Sequence, residues 1–120
     1  MKESVTNSDI ESVIQQTGYT PSNQTSDYSG VKAAYAWLSA QKKIKNHNFI
    51  DLKSRIRAWG LCYLTNDDIA IAATMLGILN KRRYEQESHI LLSISKRLTE
   101  PTIDPRDVIP DYGIHPGYER

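Results

Sequence analysis

Five stretches with apolar residues three and four apart, scarcely any alternating strand pattern, and four of five prolines gathered after residue 100 predict an all-α protein. The expected form is a compact bundle of four or five helices with an irregular, Pro-rich acidic C-terminal tail. A length of 120 residues fits one domain, and an apolar fraction of 39% allows a packed core while lying below the globular average. The expected division is a helical domain over 1–100, made of a short helix at 8–17 and a basic helical core at 30–98, then an extended tail over 101–120.

The first helix is signalled by Ser8 and Glu11 at capping-box spacing, by Ile10, Val13 and Ile14, and by Gly18 at its end. Residues 19–29, with Pro21 among Ser, Thr, Asn and Gln, read as a loop that supplies Asp27 or Ser29 as the next cap. A second helix over about 31–42 puts Val31, Ala34, Tyr35 and Leu38 on one face, with Trp37 beside them. The third is expected to be capped within 46–48 and to end at Gly60, with Phe49, Leu52, Ile56 and Trp59 opposite Lys53, Arg55 and Arg57.

Thr65 or Asn66 caps the fourth, whose first turn holds Asp67 and Asp68 where the helix dipole favours acids; Ile69, Ala72, Ala73 and Leu76 line its inner face. A fifth is expected from about Lys81 to Leu98 with Tyr84, Leu91, Ile94 and Leu98 as its stripe, stopped by Pro101. The pattern leaves open whether Gly77 separates these last two helices.

The formal net charge of +1 conceals a segregation. Residues 31–97 hold twelve Lys or Arg against five acids, whereas the first 30 residues and residues 98–120 are each acidic by three charges. A basic middle between acidic ends suits a protein that meets a polyanion or masks its own positive face. Candidate phosphate contacts are Lys42, Lys43, Lys45, Lys53, Arg55 and Arg57, with Trp37, His47 and Trp59 nearby, together with Lys81, Arg82 and Arg83. The same residues are equally consistent with a solvated helix face over buried tryptophans.

The run Ala72–Ile78, followed by Asn80 to Arg83, resembles the first half of a helix-turn-helix: small residues for a close crossing, a Gly turn, then a basic segment. Arg83 stands where the second helix of that motif turns an apolar residue inward, so the resemblance stops there. Glu85 and His89 share a helix face at i, i+4 spacing, with Glu87 between them, but they lack the further ligands a metal needs; His47 and His115 are isolated.

In the tail, Asp104, Asp107, Asp111, Tyr112 and Tyr118 form a candidate strip for a protein partner, or for this chain's own basic helices. No phosphate loop, dinucleotide fingerprint or nucleophile elbow occurs, so no enzyme and no cofactor are expected. Cys62 is the only cysteine and fits a small buried apolar residue in a reducing compartment, and no membrane segment is expected. Two classes remain open for a small cytoplasmic binding protein. One is an oligomeric nucleic-acid-associated regulator or accessory factor working through a basic face. The other is a protein-binding inhibitor, immunity factor or adaptor using its tail and exposed aromatics.

Overall fold

The computed structural model describes residues 5–22, 27–81, 90–110 and 112–113. Its element order is α1 (Asn7–Thr17), α2 (Ser29–Ser39), β1 (Lys43–Ile50), α3 (Lys53–Gly60), α4 (Asn66–Met75), β2 (Asn80–Lys81) and β3 (Ile90–Ile94), followed by a 3-10 turn at Pro105–Asp107. The strands form an antiparallel sheet in the order β1-β3-β2. The protein is therefore mixed α and β, and the all-α helical bundle is corrected: the range 30–98 holds three strands among its described residues.

Both errors have a physical cause. The stripe read as the third helix began four residues early, at Phe49, because β1 occupies Lys43–Ile50 and the helix starts only at Lys53. The stripe read as the fifth helix runs through β3, whose Ile-Leu-Leu-Ser-Ile is buried or half-buried at every position. A five-residue apolar run suits a core strand and a buried helix equally, and periodicity alone does not separate them. Gly77, at φ 75, ends α4 in a left-handed turn, and the chain passes into a strand where the helix-turn-helix reading placed a second helix.

The elements share one core. Ile10, Val31, Leu38, Leu52, Ile56, Leu64, Ile69, Ile71, Ile90, Leu92 and Ile94 are all fully buried, so every helix, β3 and the connecting loops contribute to it. Helix α2 packs chiefly on α4, and both carry fully buried alanines (Ala33, Ala34, Ala70, Ala72, Ala73), whose small side chains permit close approach.

Two capping boxes set the helix starts. Thr6 and Asp9 cap α1, two residues before the expected Ser8 and Glu11, while Thr65 and Asp68 cap α4 where the sequence predicts. After α1 closes at Gly18 (φ 78), the chain is tied to the start of α4: Thr20 N–H donates to Asp67 Oδ2 at 3.0 Å and Ser22 N–H to Asp68 Oδ1 at 2.8 Å.

The segment after Pro101 lies along the domain. Ile109 is buried, Val108 and Tyr112 are half-buried against the core, and Gly113 N–H donates to Leu61 O at 3.1 Å. Gly60 makes this docking fit, since a Cβ there would stand 2.8 Å from Ile109 Cδ1. Gly60→Ala is expected to cost about 1–2 kcal/mol by overpacking and to speed proteolysis after Pro105. Unchanged melting and cleavage would mean that Ile109 is not held there.

Candidate nucleic-acid interface

The β1–β3 pairing assembles the basic surface. Lys43 pairs with Ile94 and Asn48 with Leu92, so β1 spends several residues more than β3 over the same span and bulges between them. Asn48 Nδ2 donates to Ile94 O at 2.8 Å, bridging the irregular stretch, and Ser95 N–H donates to Lys42 O at 2.9 Å beyond it. Lys42, Lys43 and Lys45 are thereby brought beside Lys96 and Arg97, which follow β3 directly. All five are exposed, as is His47.

Neither paired stretch, 41–50 or 90–99, contains an Asp or Glu. Lys42, Lys45, Lys96 and Arg97 have no ion-pair partner among the described residues. Lys43 has one structural duty: its Nζ donates to Leu76 O at 2.9 Å, where a cation suits the end of α4. The result is a concentrated positive potential on one end of the sheet. Lys96 and Arg97 were not among the expected contacts, because nothing in their local sequence links them to residues fifty positions earlier.

The other expected contacts divide. Arg55 is exposed and Lys53 half-buried on α3, while Arg57 is half-buried with its guanidinium over the Tyr63 ring, 5.1 Å from the centroid. That cation–π contact employs Arg57 in packing. Lys81 is exposed on β2, at the base of the β2–β3 connection. Arg82, Arg83, Tyr84, Glu85, Glu87 and His89 lie outside the described residues.

Just after Arg97 in the chain, Leu98 and Glu100 line a cavity of about 370 Å³ together with Trp37, Arg55, Ala58 and Trp59. Buried Gln41 fixes its edge. Its Nε2 donates to Trp37 O at 3.0 Å and Thr99 O at 2.6 Å, and its Oε1 accepts from Thr99 N–H at 2.9 Å, so Leu98 and Glu100 are held beside the end of α2.

In the tail, Asp104 is occupied by its neighbour: Arg106 Nη2 lies 2.9 Å from Oδ2 and Arg106 Nε 3.2 Å from Oδ1, which holds the Asp104 carboxyl below the usual range. Asp107 is exposed and Tyr112 half-buried, while Asp111, Ile114, His115 and Tyr118 lie outside the described residues. Cys62 is fully buried, and no helix among the described residues is long and apolar enough to cross a membrane.

The elements follow in the order α2, β1, α3, a turn over 61–65, α4, β2 and β3, with β3 between the other strands. Helix α4 has no Lys or Arg, buries Asn66, Asp68 and 69–73, and starts with acids bonded to the Thr20 and Ser22 amides. Burial pushes the Asp68 carboxyl up to about 6, against the opposing pull of the Ser22 and Thr65 hydrogen bonds. No family model matches the chain, and no similar protein was found among curated proteins or solved structures.

Proposed function

We propose that this protein is a non-enzymatic, cytoplasmic nucleic-acid-associated regulator or accessory factor that grips the phosphate backbone with the end of its sheet. The observation that carries this reading is the pairing that brings Lys42, Lys43, Lys45, Lys96 and Arg97, all exposed, together from two stretches that contain no Asp or Glu. Cations so placed release counterions from a polyanion with little regard to its sequence. The burial and acidity of α4 argue in the same direction: a helix without exposed basic or amide side chains does not read base edges in a major groove. Lys81, exposed on β2, would extend the footprint.

The test is fluorescence anisotropy with random-sequence duplex and single-stranded DNA over a salt series. Wild type is expected to bind both, with a linear log–log salt dependence. Changing Lys42, Lys45, Lys96 and Arg97 together to Ala is expected to lower affinity by about two orders of magnitude at low salt and to flatten the slope by roughly three. These side chains are exposed, so melting should stay nearly unchanged. Equal binding by the fourfold variant would overturn the reading.

A protein-binding inhibitor, immunity factor or adaptor is the second reading. It draws support from the exposed apolar side chains Phe49, Leu79 and Ile103. The tail supports it less, because Ile109 and the Asp104–Arg106 pair are engaged within this chain.

A further inference from the structure

We infer that the cavity between α2, α3 and the chain after β3 receives an unpaired nucleobase, guanine above the others, from a single strand whose phosphates run over the five cations. The inference rests on the nucleic-acid reading above and names the form of nucleic acid the surface takes.

Three features of the cavity carry it. Both tryptophans of the chain line it, Trp37 as a buried wall and Trp59 half-buried with part of its surface open. An indole face is the strongest stacking platform for a base, and stacking is available only to a base outside a duplex. Arg55 and Glu100 supply charges of opposite sign, and neither has an ion-pair partner among the described residues. A carboxylate matches the adjacent N1–H and N2–H₂ donors of guanine, whereas adenine and cytosine each offer it one amino group and a ring acceptor; an arginine matches the carbonyl oxygen or the nucleotide's phosphate.

The third feature is continuity. Leu98 follows Lys96 and Arg97 directly and Glu100 comes two residues later, and the buried Gln41 that clamps Thr99 precedes Lys42 and Lys43. The clamp thus stands between phosphate surface and cavity, so one strand can occupy both. The volume of about 370 Å³ accommodates a purine ring with room for solvent.

Because Trp37 and Trp59 are the only tryptophans and both line the cavity, fluorescence excited at the red edge of the tryptophan band, where the seven tyrosines scarcely absorb, reports on this cavity. GMP and AMP are titrated into the full chain, and binding of single-stranded dT hexamers with and without one central dG is compared with binding of a duplex. The expected result is saturable quenching by GMP at several-fold lower concentration than by AMP, and tighter binding of the dG hexamer than of dT alone. Glu100→Gln, at an exposed position, should erase the guanine preference while leaving melting unchanged. Trp59→Leu should weaken single-strand binding about 10-fold, and Trp59→Phe should restore part of it.

Absence of saturable quenching, or an unchanged guanine preference in Glu100→Gln, would overturn the cavity inference. The phosphate reading would survive that outcome if the fourfold Lys/Arg variant still lost affinity. Conversely, GMP quenching by a protein that binds no oligonucleotide at low salt would retain the cavity as a nucleotide site and remove the strand from it.

Discussion

Gly30→Ala is expected to lower the melting temperature by roughly 10–15 °C, a loss of about 3 kcal/mol. Helix propensity alone gives the opposite sign, because Ala is favoured over Gly in a helix by about 1 kcal/mol. Packing decides. Gly30 lies in the first turn of α2, and a Cβ there would stand 2.5 Å from Asp68 Oδ2, 3.1 Å from Asp68 Cγ and 3.0 Å from Leu64 Cβ. The Asp68 carboxylate cannot swing aside cheaply, since its oxygens accept from Ser22 N–H at 2.8 Å and Thr65 N–H at 2.9 Å, and Leu64 is fully buried. Thermal unfolding followed by circular dichroism checks this, and a melting temperature equal to or above wild type would mean that the α2–α4 approach is looser than described.

The buried carboxylate at the same junction should make stability depend on pH. Asp68 is 1% exposed, and burial raises its carboxyl from 3.8 to about 6 in the folded chain. The folded state therefore binds a proton more readily than the unfolded chain between those two values. The stabilisation from protonation is fully present below 3.8 and is lost as pH rises through about 6. This group alone should make the protein more stable at pH 4.5 than at pH 7, by about 2 kcal/mol.

Asp68→Asn isolates the effect. The amide leaves one of the two backbone donors short of an acceptor, at a cost of about 1–3 kcal/mol, but it does not titrate. The gap between wild type and variant in urea denaturation should therefore widen from pH 7 to pH 4.5. A gap that stays constant or narrows would show that the Ser22 and Thr65 amides, with the first turn of α4, solvate the charge fully.

Both predictions concern a junction that the sequence exposed only in part. Thr65 followed by Asp67 and Asp68 before an apolar run is a local signal, and it correctly marks the start of α4. That Asp68 also serves the 19–22 segment, and that Gly30 must be bare to admit it, depends on residues 38 to 46 positions away.

The candidate interface divides in the same way. The excess of cations in the middle of the chain, the apolar face of α2 and the cap of α4 follow from composition and i, i+3, i+4 spacing, and are legible along the chain. That Lys43–Ile50 and Ile90–Ile94 are strands follows from their pairing across the fold. A short segment takes its conformation from the neighbour that satisfies its backbone, and here each segment is the other's neighbour. The same pairing sets Lys96 and Arg97 beside Lys42, Lys43 and Lys45, while the 41–99 clamp sets Leu98 and Glu100 beside two tryptophans. Hydrogen bonds between residues fifty positions apart leave no periodic trace in either segment, which is why charge and helices could be read along the chain and the surface they build could not.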